Sequence, residues 1–186
     1  MLKLILLGPP GVGKGTQAIR LKDHFNIIHL STGVILRGEM AKSSSIGIQA
    51  KEFINAGKLV PDEILLKMMN NRLRESECKS GYILDGFPRT IPQAKGLENI
   101  LMELGHKLNA VISITADQDE LVRRLVIRAK DSGRSDDTES VIQERQKVYW
   151  NQTAPLIQYY EDNNLLKSVD GIGSIEHITD RILGVL

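Results

Sequence analysis

Three glycines and a lysine near the start of the chain have the types and the spacing of a phosphate-binding loop. Residues 8–16 contain the pattern G-x-x-x-x-G-K, which ends at Lys14. Glycines let the backbone turn with its N–H groups pointing inward around a polyanion, and the lysine adds a full positive charge. A glycine-rich turn with a purely structural role needs neither this spacing nor the lysine. The segment therefore predicts a site for a phosphorylated ligand.

The segments on either side of this loop are those that a phosphate-binding loop requires. Residues 2–7 form a short apolar run typical of a buried strand, and residues 17–25 place Ala18, Leu21 and Phe25 on one helical face. Further apolar runs, separated by helical patterns, occur at 26–30, 82–85, 110–115 and 165–169. This alternation predicts an α/β P-loop fold of three layers, with a five-stranded parallel sheet covered by helices on both faces. In such sheets, ligands bind beyond the carboxyl ends of the strands.

Composition excludes several classes of function. The 186 residues suffice for a single domain. The 24 Lys and Arg and the 23 Asp and Glu leave a net charge of +1, so no overall electrostatic field favours binding to nucleic acid or to an acidic membrane. Cys78 has no second cysteine with which to pair, and the four histidines are dispersed, which argues against zinc. The first apolar run is too short for a signal peptide, and no stretch could span a bilayer. We expect a soluble, cytoplasmic protein.

A carboxylate and an arginine follow the run at 82–85. Asp85 ends this apolar run, at the usual place for a carboxylate that orients the water shell of Mg²⁺ near bound phosphates. Taken alone, it could as easily cap a helix or pair with Arg89. Arg89 follows four residues later, where its planar guanidinium could bind a phosphate through two nitrogens. Beside a phosphate-binding loop, the metal role of Asp85 is favoured.

More arginines surround a glycine turn in the second half of the chain. Arg124 and Arg128 are four residues apart on one face of a helix predicted over 117–130. The turn at 132–137 contains Arg134, and a helix predicted to begin at residue 136 or 137 contains Arg145. Each arginine alone is more often solvated than functional. Four of them around one turn, in a chain of balanced charge, favour convergence on one ligand.

Two other stretches complete this interpretation. Residues 38–60 are rich in Ser, Gly and Lys, which predicts a small helical insertion able to move against the core, or else a surface excursion without function. Pro61 and Asp62 after it are typical of a helix start. Tyr149 and Trp150 are expected to pack the last long helix onto the core.

Together these motifs resemble those of the adenylate kinases, in the nucleoside monophosphate kinase family, over essentially the whole chain. The motifs that match are the loop at 8–16, Ser31-Thr32-Gly33 with Arg37, Asp85-Gly86-Phe87-Pro88-Arg89-Thr90 with Gln93, and residues 132–137. The resemblance implies reversible, Mg²⁺-dependent transfer of a phosphoryl group from ATP to AMP, which gives two ADP and serves adenine nucleotide homeostasis. The balanced charge of the chain, together with the short lid described below, favours a monomer.

The resemblance further implies roles for particular residues. Those implied for ATP are Gly11, Val12, Gly13, Lys14, Gly15, Thr16, Arg124 and Arg128. Those implied for AMP are Thr32, Arg37, Val60, Gly86, Arg89, Gln93, Arg134 and Arg145. The implied catalytic set is Lys14, Arg89, Arg124, Arg128, Arg134 and Arg145, with Asp85 holding Mg²⁺ through water. Residues 31–60 match the AMP-binding insertion, and 129–138 match a lid in its short form, without the module that sometimes holds zinc.

One residue departs from the pattern of the family. Val34 stands where an acidic residue usually follows Thr-Gly and helps to orient the waters around Mg²⁺. We therefore expect a working but slower enzyme. The alternatives are a kinase for UMP or CMP, against which Thr32 and residues 90–92 argue, and a nucleotide-binding sensor that has lost catalysis. The complete set of arginines argues against the sensor, since a protein that only binds could lose those that serve the transition state.

Overall fold

Five parallel strands form a single sheet in the computed structural model of the chain, which describes residues 1–132 and 137–186, the side chains of 131 and 132 excepted. In chain order the strands are β1 Lys3–Leu7, β2 Ile28–Ser31, β3 Tyr82–Asp85, β4 Ala110–Thr115 and β5 Leu166–Asp170. Their spatial order is β2-β3-β1-β4-β5, and every neighbouring pair is parallel. The predicted α/β fold is confirmed.

Helices connect the strands and cover both faces of the sheet. They are α1 Lys14–Phe25, α2 Thr32–Ala41, α3 Ser45–Asn55, α4 Asp62–Leu73, α5 Ile91–Glu103, α6 Gln118–Ser132, α7 Glu139–Val148, α8 Pro155–Asp162 and α9 Ile175–Leu183. A 3₁₀ turn at Ser76–Ser80 precedes β3, and a π-helical turn at Tyr149–Thr153 joins α7 to α8. Within the described ranges, none of these helices has the length and apolar character needed to cross a bilayer.

Each face of the sheet has its own apolar core, because successive side chains of a strand point to opposite faces. Ile5 and Leu7 of β1 belong to the core beneath α2–α5 and α8. Leu4 and Leu6 belong to the core beneath α1, α6 and α9. A strand buried on both sides must be largely apolar, which explains why β1 is hydrophobic from Leu4 to Leu7.

The strand order places the glycine loop beside the carboxylate that ends β3. In the register of β1 with β3, Leu6 pairs with Asp85, so the loop leaves β1 directly beyond this pair. On its other side, β1 pairs with β4, where Leu7 lies opposite Ser113. The loop therefore occupies the central position at the carboxyl edge, where the connections of a doubly wound sheet diverge and ligands bind.

Two local predictions differ from the structure. Helix α7 begins at Glu139, later than predicted; Thr138 precedes it, and the Asp137 carboxylate accepts from the Arg128 guanidinium instead of from the start of the helix. Trp150 is 59% exposed, so the prediction that it packs onto the core is wrong, whereas Tyr149 is buried. The π-helical turn around Tyr149 and Trp150 shifts the side-chain directions that a regular helix would give.

The contact between α2 and α3 depends on a glycine. A Cβ added at Gly47 would overlap the backbone carbonyl of Glu39, so Gly47→Ala should lower the free energy of unfolding by about 1–3 kcal/mol. Gly38, on the exposed side of α2, has no neighbouring atom within 4 Å of such a Cβ. Gly38→Ala should therefore raise the free energy of unfolding by about 0.5–1 kcal/mol. Urea denaturation of both variants measures the difference, and equal shifts would contradict the close approach of the two helices.

Candidate active site

The glycine loop encloses the amino group of its own lysine. Lys14 Nζ donates to the carbonyl oxygens of Gly8, at 2.6 Å, and of Pro9, at 3.0 Å. Gly13, just before α1, has a φ of 98°, and a Cβ there would meet no atom within 4 Å, so its backbone borders open space. Helix α1 starts at this point and directs its unsatisfied N–H groups and the positive end of its dipole toward that space. The loop is therefore built to receive an anion.

A cavity of about 790 Å³ lies over the carboxyl edge of the sheet and brings most of the predicted site residues together. Those that line it are Gly11, Val12, Gly13, Lys14, Gly15, Thr16, Arg37, Asp85, Gly86, Arg89, Arg124, Arg128 and Arg145. Val34 also borders it and is 60% exposed. Such a volume can hold ligands far larger than a single phosphate group.

The electrostatics of this cavity favour a neutral Lys14 in the absence of ligand. Loss of hydration lowers the pKa of Lys14 to about 7; the Asp85 carboxylate opposes this, and the charges of nearby arginines add to it. These arginines are Arg89, Arg145 and Arg128. A bound polyphosphate would supply the negative charge that the amino group lacks and would return the lysine to its charged form.

Asp85 is ionised and points toward the cavity beside a histidine. Its carboxylate lies 3.2 Å from His29 Nε2, and the two side chains are only 12% and 15% exposed. Burial acts to raise the pKa of Asp85, but the hydrogen bond with His29 and the charges of Lys14 and Arg89 lower it overall. One ionised carboxylate near a phosphate site is sufficient for Mg²⁺, which keeps several waters and takes its other ligands from phosphates. Asp85 thus fits the metal role that the sequence predicts for it.

Arg124 is held against the glycine loop by three groups. Its Nε donates to Glu120 at 2.6 Å, and its terminal nitrogens donate to the carbonyl oxygens of Val12, at 3.3 Å, and Gly171, at 3.0 Å. These contacts join α6 to the loop after β1 and to the loop after β5. The guanidinium plane is therefore fixed at the edge of the cavity, on the side of α6.

Arg128 and Arg145 converge on one buried carboxylate. Arg128 binds Asp137 through two nitrogens, at 2.9 and 2.6 Å, and Arg145 Nη1 donates to the same carboxylate at 3.1 Å. Asp137 is only 1% exposed, so these pairs are shielded from water. The sequence placed Asp137 in the turn between the helices but gave no sign that it would position two arginines. Arg134 lies outside the described residues.

A smaller cavity of about 70 Å³ adjoins the first. The residues that the sequence predicts for AMP and that line this cavity are Thr32, Arg37, Val60, Gly86, Arg89 and Arg145. Thr32 Oγ1 and Arg89 Nε both donate to the Gly86 carbonyl oxygen at 2.8 Å. This contact fixes the loop after β3 against the start of α2. Gln93 lines neither cavity: it is fully buried, and its side chain accepts from the Arg89 backbone N–H.

Comparison with known proteins identifies the family. The sequence model of the family described as Adenylate kinase matches residues 6–165. The chain belongs to the adenylate kinase family. It is 46% identical over 185 residues to the adenylate kinase of a Nocardioides species, covering 100% of this chain and 97% of that protein. It is 46% identical to the adenylate kinase of Leptospira biflexa, with 98% of each covered, and 47% identical to that of Xanthomonas campestris, with 97% of each covered.

Membership of the adenylate kinase family confirms the main prediction of function. The chain is a phosphotransferase that acts between ATP and AMP, and the relatives support this reading over a kinase for UMP or CMP and over a sensor. His29 was missed as a site residue, because the local sequence around a single histidine in a strand is the same whether the side chain supports a carboxylate or only fills the core.

The lowered pKa of Lys14 makes ATP binding dependent on pH. Because its pKa in the free protein is about 7, Lys14 is largely neutral at pH 8, and binding of ATP should take up nearly one proton there. The affinity for ATP should then fall by at most about tenfold per pH unit above neutrality. Calorimetry at pH 8 in two buffers of different ionisation enthalpy measures the uptake.

The matched control for this measurement is Lys14→Arg, since arginine stays charged throughout the range. ATP binding to this variant should take up no proton and should lose the dependence on pH. Wild-type binding heats that are independent of the buffer would show that Lys14 is already charged in the free protein.

Proposed function

We propose that the large cavity binds ATP and AMP side by side and that the phosphoryl group passes directly between them. The observation that supports this most strongly is the position of Lys14, Arg128 and Arg145, from three different elements, on one cavity at the carboxyl edge of the sheet. Phosphoryl transfer spreads negative charge over the oxygens of the transferred group, and catalysis consists mostly of positioning and charge neutralisation. Neither a covalent intermediate nor a strong base is needed.

The two nucleotides have different partners in this proposal. The amides of residues 11–16 and Lys14 bind the phosphates of ATP, while Arg124 lies on its adenine. Arg37 and Arg89 bind the phosphate of AMP, and Thr32, Gln93 and the backbone of Val60 and Gly86 surround its base. Arg128, Arg134 and Arg145 surround the group in transfer. Thr32 and Arg89 already meet at the Gly86 carbonyl, which favours a common role for them.

Mg²⁺ is the cofactor of this proposal, and Asp85 is the residue that would hold it through water. When bound, the ion supplies positive charge to the phosphate oxygens. Among the described residues there is no cluster of three or more His, Cys, Asp or Glu able to hold a metal. A site built on one carboxylate with phosphates and water does not require such a cluster.

Two segments are proposed to close over the substrates. Residues 31–60, which include α2 and α3, would form the AMP-binding insertion, and residues 129–138 would form a short lid. Closure would exclude water, which otherwise could accept the phosphoryl group. We further propose that the protein is cytoplasmic and acts as a monomer, since the sequence has a balanced charge and a single cysteine.

The proposal is tested by measuring ADP formation from ATP and Mg²⁺ with AMP, CMP, UMP and GMP offered separately. Turnover should depend on AMP and should collapse in Lys14→Ala, because neutralisation of the phosphates is lost. Turnover with CMP or UMP instead would leave the proposed mechanism standing but would show that the acceptor is not AMP. ATP binding without turnover on any acceptor would support the sensor and contradict the proposal.

Val34 is the residue whose substitution should raise the Mg²⁺ affinity or the activity of the enzyme. Val34→Asp places a carboxylate in the first turn of α2, at the border of the cavity, where it can orient waters around Mg²⁺. Outer-shell groups of this kind change metal affinity or activity by about 10–100-fold, so we expect an increase of about tenfold in one of them. Activity titrated with Mg²⁺ measures it. Val34→Asn, which has the same shape without the charge, is the control, and equal behaviour of the two variants would contradict the explanation.

A further inference from the structure

The side-chain amide of Gln93 is held by two groups of opposite hydrogen-bonding character. Gln93 Oε1 accepts from the backbone N–H of Arg89 at 2.7 Å, and Gln93 Nε2 donates to Asp62 Oδ1 at 2.7 Å. The residue is fully buried at the start of α5, and the Arg89 whose backbone it contacts lines both cavities. Both partners are therefore present before any substrate binds.

These partners determine which way the amide faces. A carboxylate can only accept a hydrogen bond, and a backbone N–H can only donate one. If the amide were flipped, its oxygen would face the Asp62 carboxylate and its amino group would face the Arg89 N–H. Both contacts would then be repulsive around an amide that is fully buried. Asp62 thus excludes the flipped orientation.

Asp62 is itself held in place from two sides. Its other oxygen, Oδ2, accepts from Thr90 Oγ1 at 3.0 Å, and the same hydroxyl accepts from the Gln93 backbone N–H at 3.2 Å. Asp62 is also the first residue of α4, where the helix dipole favours a negative charge. The network connects the starts of α4 and α5 and gives the carboxylate little freedom to turn away.

The Gln93 amide retains unused hydrogen-bonding capacity. An amide has two N–H donors and two acceptor positions, and the hydrogen bonds of the Gln93 side chain with the described residues use one of each. A fully buried donor without a partner is costly, so this capacity points to a ligand. Our proposed function places the base of AMP beside Gln93, and the present inference rests on that placement.

We propose that Asp62 is a positioning residue that sets base specificity by fixing the orientation of Gln93. Adenine presents an acceptor, N1, beside an amino donor at C6, whereas hypoxanthine and guanine present an N–H donor beside a carbonyl acceptor. These two edges require opposite orientations of the same amide. An amide held in one orientation matches one edge and opposes the other, which is the general way in which a buried polar site discriminates between similar ligands.

The test is Asp62→Asn, assayed with AMP and with IMP, whose base is hypoxanthine. Asparagine can donate as well as accept, so the flipped Gln93 amide becomes tolerable. The ratio of kcat/KM for AMP to that for IMP should fall about tenfold or more, with a rise in KM for AMP, because one directed hydrogen bond is lost. The KM for ATP should change less than twofold, on the order of experimental error.

Glu63→Gln is the matched control. It removes the same charge from the same turn of α4, but Glu63 is exposed and is not part of the network. A purely structural role for Asp62 would lower the thermal stability of Asp62→Asn without changing the AMP-to-IMP ratio, and that outcome overturns the inference. If Asp62→Asn does not fold, Asp62→Glu and Asp62→Gln make the same comparison, and only the glutamate should preserve the ratio.

Gln93→Leu separates failure of this inference from failure of the proposed function. If Gln93→Leu leaves the KM for AMP unchanged, Gln93 does not read the base, and both the placement of AMP and the inference are wrong. If Gln93→Leu raises this KM while Asp62→Asn preserves the AMP-to-IMP ratio, the placement of AMP stands and the role of Asp62 is wrong.

Discussion

The concentration of positive charge around one cavity is the constraint on which the rest of the structure depends. Lys14, Arg128 and Arg145 border the same volume, and their repulsion helps to lower the pKa of the lysine. Without compensation these side chains would turn outward to water. The fold supplies the compensation through carboxylates on other elements, with Asp85 at the end of β3 and Asp137 before α7. The site is therefore assembled before substrate arrives, and phosphates can replace interactions that the protein already makes.

The parallel sheet makes this concentration possible. All five strands end at the same edge, so residues far apart in the chain meet there without long connections. The central strand delivers the glycine loop, its neighbour delivers Asp85, and the helices that start at this edge contribute the positive ends of their dipoles. An antiparallel arrangement would send half of these termini to the opposite edge. The chemistry of the site therefore depends on the parallel direction of the strands.

The two apolar cores divide the site into two halves. The residues proposed for ATP belong to the glycine loop, α1 and α6, and these two helices cover the face of the sheet with Leu4 and Leu6. The residues proposed for the phosphate and base of AMP belong to α2, the loop after β3, α5 and the segment before α4, on the side of the other core. Lys14 and Asp85 lie between them at the edge of the sheet. Each half therefore rests on its own apolar core, and the two cores share the strands of one sheet.

Local patterns in the sequence determined the strands, the glycine loop and the arginine spacing, because these depend on residues close together in the chain. The strands at 82–85 and 110–115 were predicted with their observed bounds. Only the tertiary structure decided the pairing of His29 with Asp85, which are 56 residues apart, and the support that Asp62 gives to Gln93. It also left Trp150 in solvent. A single polar or aromatic residue has the same local signature whether it is solvated or paired, since its partner is chosen by the packing of distant elements.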